Sequence, residues 1–116
     1  MSHQRLANEL FKFYLEIYMS THFGKEKFHL ALMSLVSPGD IHSRVTAALA
    51  QHLFHVKEDE DLPEQIRSEF KRFHSSLNVE SVPSGHISDV INNMSETEVE
   101  KVAQNIVALQ EKLLEI

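Results

Sequence analysis

The sequence predicts an all-α fold, a compact bundle of five or six helices that forms one domain over residues 1–116. Apolar residues recur at steps of three and four along most of the chain, which is the spacing of one face of a helix. Residue combinations typical of helix N-termini precede several of these stretches. The chain has only three glycines and three prolines, and this composition favours helices over a turn-rich β fold.

The composition also limits the class of protein. Hydrophobic residues make up 42% of the 116 residues, which is enough for one buried core and argues against disorder. Cysteine is absent, so neither disulfides nor thiolate chemistry is expected, and a reducing compartment is allowed. No apolar run approaches the roughly 18 residues that span a bilayer, and the N-terminus lacks a signal-peptide pattern. We therefore expect a cytoplasmic protein that does not enter a membrane.

The formal net charge is −6 with the eight histidines neutral. Because affinity for nucleic acid begins with the neutralisation of phosphates, this charge disfavours a nucleic-acid partner. Histidines titrate between about pH 5 and 7, so the sequence leaves open whether they sense pH or are ordinary surface residues.

The first helix is predicted over residues 1 to about 20 and carries two adjacent apolar stripes. The first stripe is Leu6, Leu10, Phe13 and Ile17. The second stripe is Ala7, Phe11, Tyr14 and Tyr18. Together they cover about 160° of the circumference, whereas a single core-facing helix needs little more than about 100°.

We therefore expect the first stripe to pack inward, on the second and last helices. Phe11, Tyr14 and Tyr18 would then form an exposed surface through which two copies pair as a homodimer. The alternative is that the first helix lies centrally and its own chain covers both stripes.

Gly24 is predicted to end the first helix, and a second helix follows over residues 25–36, unless the two are one bent helix. The central helix is predicted over residues 37–56, with Ser37 as N-cap, Pro38 at the first helical position and Asp40 in a capping box. Its apolar face supplies half of the residues that we expect to be most buried. The full set is Ile41, Val45, Leu49, Leu53, Phe70, Phe73, Ile106 and Leu109.

Residues 57–61 are predicted to form a charged loop, after which Asp61 caps a fourth helix. Residues 78–84 read as the longest irregular stretch, and Ser84 is expected to cap a short fifth helix. Ser95 and Glu98 form a capping box at the start of the last helix, which runs to near the C-terminus.

From about residue 30 to the end, the chain resembles a group of short, uncharacterised all-helical bacterial proteins. The segments that carry the resemblance are LMSLVSPGDIHSRVTAALAQHL, DLPEQIRSEF, GHISDVI and MSETEVEKVAQNIVALQEKL. The recurring features are a Leu-Pro-Glu helix start and a Met-Ser-x-x-Glu start of the last helix. The resemblance implies a bacterial helical protein and brings no activity with it.

Two histidines have a spacing that metal sites use. His52 and His55 lie three residues apart, which can place two imidazoles on one ion. No further ligand motif is present, and a partly buried His52 with a surface His55 is the simpler interpretation. We predict no metal and no cofactor.

Arg67, Lys71 and His74 form a basic stripe on the fourth helix. The spacing of Arg67 and His74 is similar to that in helical ribonucleases of the HEPN type. That resemblance implies that Arg67 stabilises phosphate charge and His74 acts as acid or base. Ser68 departs from the family pattern, which usually has a more polar residue there. The simpler interpretation is a stripe that faces solvent or a protein partner.

The sequence therefore predicts a non-enzymatic protein–protein interaction module, a regulator or accessory subunit that acts as a homodimer and binds another protein. No catalytic residue set is predicted. The partner-binding residues are Phe11, Tyr14, Tyr18, Arg67, Lys71 and His74. A HEPN-type ribonuclease is one alternative, and a helix-turn-helix transcriptional regulator is the other. The acidic residues 58–61 disfavour the regulator because they would repel DNA at the turn of the motif.

Overall fold

The structure is a computed structural model that describes residues 2–77 and 86–116; of residues 2, 3 and 16–21 it describes the backbone only. All regular secondary structure in these residues is helical, which confirms the all-α prediction. In chain order the elements are α1 (Ser2–Leu35), α2 (Ile41–Ala47), a π-helical segment (Ala48–His52), a 3₁₀ turn (Leu53–His55), α3 (Glu58–Asp61), α4 (Glu64–Leu77), α5 (Ile87–Asn92) and α6 (Glu96–Leu114).

α1 is one continuous helix of 34 residues, so the prediction that Gly24 ends a first helix is wrong, and the alternative that both segments belong to one helix is observed. Gly24 lies in the helix interior and is buried. A Cβ atom at this position would overlap the backbone carbonyl oxygen of Asp61. Gly24 is therefore the point where the backbone of α3 lies directly against α1, which a larger residue would prevent.

The molecule is longer than the predicted compact bundle. Its principal extents are 63 × 27 × 21 Å, and its radius of gyration is 16.8 Å, against about 13 Å for a compact domain of this length. The cause is α1, whose 34 residues span about 51 Å. We call residues 4–15 the arm, residues 24–35 the inner half of α1, and the inner half together with residues 36–77 and 86–116 the body.

The central helix begins at Ile41 and not at Ser37. Asp40 is its N-cap, and its carboxylate accepts a hydrogen bond from the Ser43 backbone N–H at 2.8 Å. Gly39 has φ of +122°, a left-handed conformation that interrupts the helical path. The Ser37 hydroxyl instead donates to the Met33 carbonyl, at the C-terminal end of α1.

The central helix is also not regular to its end. After α2 the chain widens into the π-helical segment and then tightens into the 3₁₀ turn. Val45, Ala48, Leu49, Leu53 and Val56 are all buried along this path. The predicted apolar face is therefore confirmed, whereas the predicted uninterrupted helix over residues 37–56 is wrong.

α3 replaces the predicted charged loop. The Asp61 carboxylate accepts a hydrogen bond from the Lys57 backbone N–H at 2.8 Å. Asp61 therefore stabilises the turn that contains α3 and does not cap α4, which begins at Glu64.

α6 begins as the sequence predicts. Ser95 is its N-cap, and the Ser95 hydroxyl accepts from the Glu98 backbone N–H at 3.2 Å. The predicted irregular stretch 78–84 and the predicted cap Ser84 lie outside the described residues.

The inner half of α1 packs on the π-helical segment, α2, α3 and α6, and α4 packs on α6. Phe28 is fully buried, and its ring meets that of Phe70 edge to face, with 5.8 Å between the centroids. Of the residues predicted to be most buried, all except Ile41 are buried. Ile41 is only partly buried, because it is the first residue of α2 and lies at the edge of the core.

Candidate interaction surface

The arm exposes six large apolar side chains, and every described side chain of residues 4–15 is exposed. Their exposed fractions range from 46% to 67%. They are Leu6, Leu10, Phe11, Phe13, Tyr14 and Leu15. Phe13 and Tyr14 touch each other edge to face, with ring centroids 6.0 Å apart. Within the described part of the chain, no other element therefore buries the apolar side chains of the arm.

The predicted inward packing of the first stripe is wrong for its described residues, since Leu6, Leu10 and Phe13 are exposed. The stripe is exposed because α1 is long, and not because the stripe faces away from the core. Eighteen residues make about five turns of an α-helix, so two residues 18 apart lie on the same face. Leu10 is therefore in line with the buried Phe28. The first stripe faces the same way as the core of the body, but α1 extends beyond the part of the chain that could cover it.

All four positions of the first stripe recur 18 residues later, after five helical turns. Each member of the first stripe has a counterpart 18 residues later, in the order Gly24, Phe28, Ala31 and Leu35. All four of these counterparts are buried. The arm therefore carries a second copy of the core-facing surface of α1, displaced by about 27 Å along the helix.

The apolar arc of the arm is wider than the sequence analysis proposed. Leu15 lies one step beyond the second stripe and widens the arc from about 160° to about 200°. The remaining face is polar and carries Arg5, Glu9 and Lys12. Arg5 and Glu9 form an exposed ion pair with an N–O distance of 3.6 Å. The arm is thus amphipathic, with mixed charges on its polar side.

Sequence reasoning found the arm but not its full extent. Phe11 and Tyr14 are exposed, each by 67%. The side chains of Ile17 and Tyr18 lie outside the described residues, so the prediction for Tyr18 has no structural counterpart. Leu15 was missed because the sequence analysis followed steps of three and four from single starting residues. A count of all apolar residues around the helix would have included Leu15.

The basic stripe of α4 is partly engaged within the chain. The Arg67 Nε group donates to the Leu62 carbonyl at 2.8 Å, so this side chain secures the link between α3 and α4. The His74 ring lies against the Phe70 ring, with centroids 4.6 Å apart. Lys71 is exposed.

His74 also borders a surface recess of about 410 Å³ between α4 and the preceding segment. Three carboxylates line that recess, from Glu58, Asp59 and Glu60, and the only ammonium group among its described lining residues, from Lys57, is paired with Glu60. Such a lining would repel the phosphates of an RNA substrate. Arg67 and His74 share one side of α4, but their surroundings do not resemble a phosphate-binding site.

The two histidines of the central region differ in environment. His52 is half-buried, as predicted. Its Nδ1 atom is buried and has no hydrogen-bond partner. Burial lowers the pKa of His52, and the charges of Lys27 and His55 lower it further. His55 is exposed. Within the described part of the chain, no group of three or more His, Cys, Asp or Glu side chains is arranged to hold a metal ion.

None of the helices that the structure describes combines the length and the apolarity needed to cross a membrane. In comparisons with known proteins, no family model, curated protein or solved structure matches the chain.

Proposed function

We propose that the protein is a non-enzymatic interaction module, a regulator or accessory subunit, that forms a homodimer through its arm. The observation that carries this proposal is the arm itself, where a core-facing helical surface is repeated beyond the body and left exposed. Exposed apolar patches of this kind mark protein interfaces in soluble proteins.

The energetics of an isolated helix support a partner for the arm. In water, a helix of this length without tertiary packing is only marginally stable, since packing of an apolar face supplies most helical stability in proteins. The six apolar side chains expose on the order of 700 Å² per copy, and pairing through the first stripe would bury about half of this area, against the roughly 800 Å² that each partner contributes to a standard interface.

A second copy is the partner that the arm fits most directly. In a two-fold pair the same patch serves both subunits, so one amphipathic surface is sufficient. We place the proposed pairing on the first stripe and not on the predicted surface of Phe11, Tyr14 and Tyr18, because the counterparts of the first stripe in the inner half already pack against helices. The charged residues of the arm, Arg5, Glu9 and Lys12, lie outside the first stripe, with Glu9 nearest to its edge.

Two features of this proposal rest on sequence alone. The basic stripe of Arg67, Lys71 and His74 is a second proposed contact, with another protein. The proposed setting is a bacterial cytoplasm. The absence of cysteine supports this setting because it is compatible with a reducing compartment.

The test is the oligomeric state of two matched variants. Leu10→Glu places a charge in the first stripe, whereas Lys12→Glu places the same side chain on the polar side of the arm. Light scattering at about 5–50 μM, a concentration range suited to a moderate interface, should show a dimer for the unmodified protein and for Lys12→Glu. Leu10→Glu should be monomeric, with the helical circular dichroism of the body retained.

Light scattering that finds the unmodified protein monomeric over this range would remove the dimer. A dimer that survives Leu10→Glu would move the interface away from the arm.

A further inference from the structure

A groove of about 380 Å³ lies between α4 and α6, and all of its described lining residues belong to these two helices. It is separate from the arm and takes no part in the proposed pairing. Each helix lines it with residues at steps of three and four, which is the spacing of one helical face. Its volume lies within the range of about 300–1,000 Å³ that small-molecule sites occupy.

The two helices run antiparallel along the groove. The Lys112 ammonium group and the Glu69 carboxylate are 2.6 Å apart. Ser76 and Asn105 each lie about 10 Å along their own helix from this ion pair, and both line the same groove. In parallel helices they would lie on opposite sides of the ion pair. The groove is therefore about 10 Å long, with the ion pair at one end.

The floor of the groove is apolar. Phe73 and Leu109 line it as members of the core, with exposed fractions of only 6% and 5%. Ala108 also lines the groove and is exposed. Because alanine has no side-chain atom beyond Cβ, it leaves space above the floor that a larger residue would fill. An apolar group of matching length can therefore bury itself there without displacing a core side chain.

One cation of the lining is available to an anion. Lys112 is already paired with Glu69, so its charge is compensated. Arg72 is exposed, and among the described residues it has no hydrogen-bond or ion-pair partner. With two cations and one carboxylate, the lining is positive by one charge, in a chain whose formal net charge is −6.

The hydrogen-bonding groups of the lining also favour Arg72 as the anchor. The Ser76 hydroxyl donates to the Phe73 carbonyl at 2.7 Å, so its proton is already used. The Arg72 guanidinium can instead donate two parallel hydrogen bonds to the two oxygens of a carboxylate.

We propose that this groove binds a small monocarboxylate with an apolar chain. Arg72 binds the carboxylate, and Phe73, Ala108 and Leu109 contact the chain. A single negative charge matches the excess positive charge of the lining. The second charge of a phosphate or a dicarboxylate would have no free cation to pair with, and Glu69 would repel it.

The probe for this site is sodium octanoate, whose chain is about as long as the groove. Heteronuclear NMR of the full chain at about pH 7, where the carboxylate is ionised, should show saturable shifts of α4 and α6 backbone amides. One octanoate should bind per chain. Octanamide lacks the charge and acetate lacks the chain, so each should bind at least about tenfold more weakly.

Variants of Arg72 test the charged contact. Arg72→Gln should weaken octanoate binding at least about tenfold, and Arg72→Lys should weaken it less, since lysine keeps the charge but not the paired donors. Lys12→Gln removes the same charge from the arm, outside the groove, and should leave the affinity unchanged. Unchanged affinity in Arg72→Gln would overturn the site.

Variants of α6 test the apolar contact. Ala108→Leu fills the space above the floor and should weaken octanoate binding at least about tenfold, because the chain loses its place against Phe73 and Leu109. Gln104→Leu adds an apolar side chain at an exposed position outside the groove and should leave the affinity unchanged. Both sites are exposed, so circular dichroism should show unchanged helicity. Equal affinity of Ala108→Leu and the unmodified protein would overturn the site.

The arm offers a competing apolar surface, which Leu10→Glu tests. This variant should bind octanoate as the unmodified protein does. Amide shifts confined to the arm, or loss of binding in Leu10→Glu, would assign octanoate to the arm and overturn the site. Equal binding of octanoate and octanamide, or no saturable binding of octanoate, would also overturn it. None of these results bears on the homodimer, which light scattering tests separately.

Discussion

The two halves of α1 have the same amphipathic pattern and opposite surroundings. In the inner half, Phe28 and Ala31 are completely buried against the rest of the body. Five turns earlier, Leu10 and Phe13 face the same direction and are about half exposed. This difference shows that an apolar stripe determines which face of a helix is suited to burial. It does not determine which part of the chain, or which other chain, packs on that face.

Hydrogen exchange should show the largest difference between the two halves. At protein concentrations below the dissociation constant of the dimer, backbone amides of the arm should exchange at least about 10³-fold faster than those of the inner half. The reason is that the arm can fray locally, whereas the inner half opens only when the body unfolds. Mass spectrometry of peptides from each half measures both rates in one sample.

Protection of the arm should rise with protein concentration if it pairs. Equal protection of the two halves in dilute solution would mean that the arm is covered within a single chain.

Two Phe→Ala variants compare the halves energetically. Phe28→Ala should lower the free energy of unfolding by about 3–5 kcal/mol, because it leaves a cavity beside Phe70 in the core. Phe13→Ala should change it by less than about 0.5 kcal/mol in dilute solution, where this side chain has no core to leave. Urea unfolding followed by circular dichroism gives both values. A large loss for Phe13→Ala would place the arm in the core.

Gly24 marks the boundary between the two halves and should respond differently from an arm residue. Gly24→Ala should destabilise the protein by about 1–3 kcal/mol, because the new Cβ would overlap the Asp61 carbonyl and displace α3. Asn8→Ala should instead stabilise α1 slightly, since alanine has the higher helix propensity and this site is exposed. Thermal unfolding of both variants decides. Stabilisation by Gly24→Ala would show that α3 does not lie against α1.

The smallest expected effect is a pH dependence confined to the body. Burial lowers the pKa of His52 in the folded state, so the unfolded chain binds more protons as the pH falls below about 6.5. The free energy of unfolding should therefore decrease between pH 7 and pH 5. His52→Gln should reduce this decrease. Urea unfolding at three pH values measures this decrease. An equal decrease in the unmodified protein and in His52→Gln would show that His52 does not cause the pH dependence.

The sequence by itself determined the helical class, most of the core and the start of α6. Helical spacing identified Val45, Leu49 and Phe70 as buried, because such spacing records directly which side of a helix is apolar. Ser95 was identifiable because a helix cap is a local contact between a side chain and a backbone group a few residues away. Helical spacing also revealed the wide apolar arc of the arm. It did not reveal where along α1 the exposed arm ends and the buried inner half begins.

Tertiary structure decided the features that depend on distant residues. Gly24 reads as a helix end in sequence, but the approach of Asp61, which lies far along the chain, makes it an interior contact. The first stripe reads as core, but only the length of α1 relative to the body shows that it is exposed. Local patterns encode the direction of a face and the chemistry of a cap. Whether another surface reaches that face depends on how the whole chain packs.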